Sequence, residues 1–194
     1  MREDVVALYV DRRGPYPRLL RRWYDEERDA RTYEGTLPVV AHPPCGPWGL
    51  LRHRCKRPQD RELAPHAVDV VRRVGGVLEH PRGSLLWDEL GLPRPGHLPD
   101  VYGGQTFRVN QVEWGHACVK PTWLYVVGVP EVRRIPMKER KATHQIWGSH
   151  GSRMYGHRTD LRAANATMRR RTPLEFALWL IGIASPCEVR CSLP

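Results

Sequence analysis

Two short stretches hold the residue types that could do chemistry together. The first is His42-Pro43-Pro44-Cys45-Gly46-Pro47-Trp48, where a single thiol stands among prolines and glycine. Pro43, Pro44 and Pro47 cannot continue a ladder or a helix, so the chain must leave its strand here. A thiol on a stiff loop at the carboxyl end of a strand sits where open α/β sheets bind ligands, which makes Cys45 a candidate nucleophile. The alternative is a structural residue, since free cysteine is often buried. The second stretch is Leu78-Glu79-His80-Pro81, another strand end, closed at once by proline. If a helix crosses over between them with the usual right hand, both loops open on one edge of the sheet. Cys45 and Glu79 then face one cleft. A thiolate beside a carboxylic acid suits attack on an electron-poor ring that is protonated at a neighbouring atom.

The elements that must position this pair can be read in order. Val5 to Val10 is a continuous apolar run and predicts a buried first strand. Arg18 to Glu27 reads as a short, very polar helix. Leu37 to Ala41 is the strand that delivers Cys45. Leu63, Ala67, Val70, Val71 and Val74 fall at helical spacing, and Gly75-Gly76 ends that helix. Val77 to His80 is the strand that delivers Glu79. Ser84 to Leu90 predicts one or two helical turns. Phe107 to Trp114 and Thr122 to Val129 predict two more strands. The last helix opens with Thr172 as N-cap, Pro173 in its first turn and Glu175 completing a capping box. Its apolar stripe is Leu174, Ala177, Leu178, Ile181 and Ala184, widened by Trp179, Leu180 and Ile183, so it should be largely buried. Strands alternating with helices predict an α/β fold, Rossmann-like, with a mostly parallel sheet and flanking helices. The 194 residues fit one catalytic domain spanning 1–194.

Charge points to the partner. The net charge is +10, and only four of the 31 basic residues are lysine. Arginine favours planar, bidentate contacts to phosphate and base edges, so DNA is the expected partner, with codon bias as the competing explanation of the arginine count. The long basic region at about 130–170 contains Arg153, His157 and Arg158, interleaved with Trp147 and Tyr155, a pattern suited to phosphate contact and base stacking. No apolar run approaches the roughly 20 residues needed to span a bilayer. Met1-Arg2-Glu3-Asp4 opens no secretory signal, so a cytoplasmic protein without membrane contact is expected. Five cysteines without an export signal argue against a disulfide framework. The His42, Cys45, His53, Cys55 spacing matches no usual zinc site, and no metal is expected.

In this order the motifs resemble the DNA (cytosine-5) methyltransferases, particularly compact, phage-type members. Pro44-Cys45 is similar to the family's nucleophile motif, and Glu79-His80-Pro81 to its Glu-Asn-Val or Glu-Asn-Pro motif. Gln111 to His116 followed by Lys120-Pro121-Thr122 resembles a later polar segment and Lys-Pro-Thr strand, though Glu113 stands near a position where the family usually has arginine. The resemblance implies a reduced methyltransferase-like core. It also implies that Cys45 adds to C6 of a flipped pyrimidine, that Glu79 contacts the ring edge, and that C5 becomes the nucleophile. Pro44, Trp48, His80 and Lys120 would line the substrate site, with Trp48 either stacking on a base or filling the core. His42 and His80 would flank the cleft as proton shuttles or as residues bonded to backbone.

The first loop departs from the pattern. The family has Phe-x-Gly-x-Gly for S-adenosylmethionine, whereas this chain has Asp11-Arg12-Arg13-Gly14-Pro15-Tyr16. Arg12 and Arg13 would there hold an anionic group. Three readings stay open: methyl transfer from S-adenosylmethionine, transfer of another group from a small-molecule donor to a 5-substituted pyrimidine in phage DNA, and an inactive DNA-binding relative.

Overall fold

A computed structural model describes residues 1–49, 51–129, 139–146 and 161–185. Strands β1 (Arg2–Leu8), β2 (Leu20–Trp23), β3 (Val39–Ala41) and β4 (Gly76–Pro81) run parallel. Strands β5 (Gln105–Asn110) and β6 (Pro121–Val127) complete the sheet, with β6 antiparallel to both β4 and β5. The order across the sheet is β2-β1-β3-β4-β6-β5. The path from β2 back past β1 to β3 reverses the direction of travel, so the crevice expected at such a switch point lies at the carboxyl ends of β1 and β3. The loop bearing Cys45 leaves the sheet there.

Helix α1 (Tyr16–Leu19) is a single turn, and α2 (Leu63–Val74) covers one face of the sheet. Its Ala64, Ala67, Val68 and Val71 pack with Val6, Leu8, Val39, Ala41 and Leu78. Short α3 (Leu86–Glu89) adds Leu86 and Trp87 to the same core. A small parallel pair, β7 (His144–Gln145) and β8 (Arg162–Ala163), precedes α4 (Ala166–Arg170). Helix α5 (Leu174–Ala184) covers the other face, packing Phe176, Ala177, Leu180 and Ile181 with Val5, Ala7, Val40, Val77 and Leu124. The alternation along β1, β3 and β4 is therefore strict, with odd and even positions buried on opposite faces because strand side chains have a period of two. The architecture is a six-stranded, mostly parallel sheet between helices, compatible with a Rossmann-like fold.

Five local expectations need correction. The polar segment after Pro17 is an edge strand beginning at Leu20, not a helix to Glu27, because Leu20 reaches the α5-side core while Arg21 and Arg22 stay in solvent. The first strand ends at Leu8, where Tyr9 takes a positive φ of 58°. The strand from residue 105 stops at Asn110, and Gln111–Trp114 is a 3-10 turn capped by the Asn110 side chain. The capping box on α5 does not form. Pro173 is the N-cap, and Glu175 pairs with Arg140 at 2.8 Å. Ala177, Trp179, Leu180, Ile181, Ile183 and Ala184 are buried as the stripe predicts, whereas Leu174 and Leu178 at its edge are exposed and Phe176 joins the core instead.

Gly76 is where the β3–β4 pairing is most demanding. It pairs with Val39 in register, its φ is +116°, and a Cβ there would stand 2.0 Å from the Val39 carbonyl oxygen. Gly76→Ala should cost roughly 3 kcal/mol or more, the range of severe backbone defects. Gly91 also has a positive φ, +60°, but an added Cβ meets nothing within 4 Å, so Gly91→Ala should cost only about 1 kcal/mol. Urea unfolding of both variants checks the difference. Equal, small losses would contradict the tight β3–β4 approach.

Candidate active site

Strand register builds the centre of the site. Ala41 lies opposite Leu78 in the parallel β3–β4 pair, so the next residues, His42 and Glu79, emerge side by side on the α5 face. His42 Nδ1 lies 3.0 Å from Glu79 Oε2. A carboxylate can only accept, so Nδ1 carries the proton and donates. His42 Nε2 then accepts from the Tyr16 hydroxyl at 2.6 Å. Tyr16 is buried at the start of α1, and burial followed by the Glu79 charge raises its pKa well above the usual value, keeping it a neutral donor.

The other carboxylate oxygen is held from the antiparallel side. Gln111 Nε2 donates to Glu79 Oε1 at 2.8 Å and to Thr122 Oγ1 at 3.0 Å. The Thr122 hydroxyl has one proton to divide between Glu79 Oε1 at 3.4 Å and the Lys120 carbonyl at 3.1 Å. Gln111 is placed by its own turn, whose Trp114 ring lies 4.6 Å from that of Trp179 and 5.2 Å from that of Phe176 on α5. Burial alone would raise the Glu79 carboxyl. The Lys120 charge and the His42 hydrogen bond outweigh it and hold the group down to about 2.

Cys45 stands at the exposed lip of this site. Its carbonyl accepts from the amides of Trp48 at 3.1 Å and Gly49 at 3.0 Å, which closes the loop into a tight turn. Crowding by surrounding protein atoms raises the thiol pKa, and the Glu79 charge raises it further, while Lys120 and Arg170 of α4 pull it down. Cys45, Glu79 and Lys120 therefore share one electrostatic neighbourhood, as the two strand ends implied. The resting sulfur is a thiol.

Other expected site residues fall elsewhere. His80 is one residue past Glu79, so the period of two sends it to the α2 face. It is fully buried there, bonded to Ser84 Oγ at 2.8 Å and stacked on Trp87. Trp48 is fully buried in the same core, donating to the Arg61 carbonyl at 3.1 Å beneath the Arg61 guanidinium. It fills the core and is not available to stack on a base. His42 bonds side chains rather than backbone. Pro44 is half-buried in the loop. Arg153, His157 and Arg158 lie outside the described residues, as do Trp147 and Tyr155. Tyr16, Gln111, Thr122 and Arg170 were not legible as site residues, because strand pairing and helix packing, not proximity in sequence, bring them in.

The loop after β1 lacks the paired glycines of the Phe-x-Gly-x-Gly pattern. Gly14 is its one glycine, and its amide closes a turn on the Asp11 carbonyl at 2.8 Å. Arg12 pairs with Asp25 at 3.3 Å and also with Glu27. Asp25 is buried and accepts from the amides of Glu27 and Arg28 at 3.1 and 3.0 Å. Arg13 is exposed. Among the described residues no group of three or more His, Cys, Asp or Glu is placed to hold a metal, and no helix is long and apolar enough to cross a membrane. Comparison with protein-family models and with curated proteins gives no match for this chain.

The site's ionisation sets its acid stability. Burial lowers His80 to about 4, and burial with the Lys120 charge lowers His116 to about 4. Each of these groups binds protons more weakly folded than unfolded, so its contribution is lost as pH falls from the unfolded to the folded value. The histidines act from pH 6.5 to about 4, and Glu79 from 4.5 to about 2. The Glu79 contribution is on the order of 3 kcal/mol. Glu79→Gln should remove the lower limb of a stability–pH profile and leave the upper. A variant profile parallel to the parent below pH 4 would contradict this.

Proposed function

We propose that this chain modifies a pyrimidine base of DNA at C5 by covalent catalysis from Cys45. The observation that supports this most directly is the exposed residue Cys45 at the strand ends, its thiol within the electrostatic reach of a buried, ionised Glu79 and of Lys120. The sulfur loses its proton and adds to C6, and the electron pair of the C5–C6 double bond makes C5 nucleophilic. C5 attacks the group to be transferred, and the bond from that group to its donor breaks with its electron pair leaving on the donor. Loss of the C5 proton then expels the thiolate and restores the ring. Lys120 stabilises negative charge developing on the ring, and Glu79, oriented by His42 and Gln111, binds the ring edge. The lack of those paired glycines in the Arg12 loop favours a donor other than S-adenosylmethionine, with Arg13 exposed nearby to meet an anionic group.

The test is capture on an oligonucleotide carrying a 5-fluoropyrimidine, where C5 holds no removable proton. A Cys45 adduct should form and disappear in Cys45→Ala. Because crowding and Glu79 raise the thiol, the rate should keep climbing between about pH 7 and 9 rather than level off near neutrality. No adduct, or an undiminished one in Cys45→Ala, would remove the nucleophile from the reading.

A further inference from the structure

The groups around Glu79 define which pyrimidine edge can meet it; the argument rests on the reading that Cys45 attacks a pyrimidine. Every side chain bonded to the carboxylate is placed as a donor: the His42 ring, the Gln111 amide and the Thr122 hydroxyl. The amide of Gln111 is turned so that its nitrogen faces Glu79, and its buried oxygen has no hydrogen-bond partner among the described residues. The opposite rotamer would set oxygen against oxygen. The pocket is thus built around a carboxylate, not a carboxylic acid. A carboxylate accepts about four hydrogen bonds. His42 takes one on Oε2 and leaves a position there, and the side chain keeps 10% of its exposure. What Glu79 offers a ligand is an acceptor, and Lys120 adds positive charge within electrostatic reach of it.

A 4-oxo pyrimidine complements that pair. Its N3–H donates, and the carbonyl oxygens on either side accept. When the sulfur adds to C6 of such a base, the displaced electrons settle on O4, where a cation stabilises them. Cytosine can donate to the carboxylate only from its 4-amino group, and it sets a bare N3 lone pair against the carboxylate's. Its adduct needs a proton on N3, which an ionised Glu79 does not carry. We infer that the base taken by this site is a 4-oxo pyrimidine (uracil, or a 5-substituted uracil such as thymine) rather than cytosine.

Deuterium exchange at C5 tests this without any group donor. Sulfur adds to C6 and C5 takes a deuteron from the solvent. Loss of the original C5 proton and departure of the thiolate then return the base one mass unit heavier. The whole protein is incubated in D2O with oligonucleotides holding a single deoxyuridine or deoxycytidine, and the nucleosides are weighed, with Cys45→Ala as background. Deoxyuridine should exchange roughly 10- to 100-fold faster, the span of one hydrogen bond to a charged group. Cys45-dependent exchange that is equal or faster on deoxycytidine overturns the inference and leaves the nucleophile standing. Cys45-dependent exchange on neither base overturns both. In folded Glu79→Gln the preference for deoxyuridine should shrink, and an unchanged preference would remove Glu79 as its source. If that variant does not fold, the comparison of the two bases by the parent protein still decides.

Discussion

The carboxyl edge of this sheet depends on one buried charge. Taking a carboxylate out of water costs several kcal/mol unless donors and opposite charge replace its hydration. Here they come from four parts of the chain: His42 from the end of β3, Gln111 from the turn after β5, Thr122 from β6, and Lys120 just before it. Tyr16 adds a further layer from α1 by fixing the far nitrogen of His42. The arrangement forms only when β1, β3, β4, β6 and both layers of helix are in place. The site is therefore a product of the whole sheet, and any shift of β3 against β4 by one residue would send Glu79 or His42 to the wrong face.

The same alternation separates chemistry from support. Glu79 looks toward α5 and the open edge, whereas His80 turns into the α2-side core, bonded to Ser84 and stacked on Trp87, and burial there keeps it neutral. Trp48 follows Cys45 by three residues, yet it anchors the loop from below through Arg61. The reactive-looking stretch is thus half site and half foundation. Its stiffness comes from three prolines and from the Cys45 carbonyl accepting two amides, so the thiol is presented with little freedom to lose on binding.

There is an electrostatic tension between the two principal groups. The charge that makes Glu79 a firm acceptor also disfavours a thiolate at Cys45, and Lys120 relieves both. The raised thiol stays protonated near neutral pH, which limits its reaction with electrophiles. The Arg12 loop, closed by Asp25 and Glu27, leaves the neighbouring crevice lined by charge rather than by glycine backbone.

By itself the sequence determined the elements that rest on local pattern. Apolar runs gave the parallel strands, helical spacing gave Leu63–Val74 with its glycine stop, and the two proline-bounded strand ends put Cys45 and Glu79 on one edge. It erred where local preference and tertiary packing compete. The capping box at Thr172 yielded to an ion pair with Arg140, the polar segment at Leu20 yielded to strand pairing with β1, and at the edge of the α5 stripe Phe176 is buried where Leu174 and Leu178 are not. Only the tertiary structure decided the surroundings of Glu79. Hydrogen bonds from residues 32, 37 and 43 positions away have no local signature. They arise from register, and register is a property of paired strands, not of either strand alone.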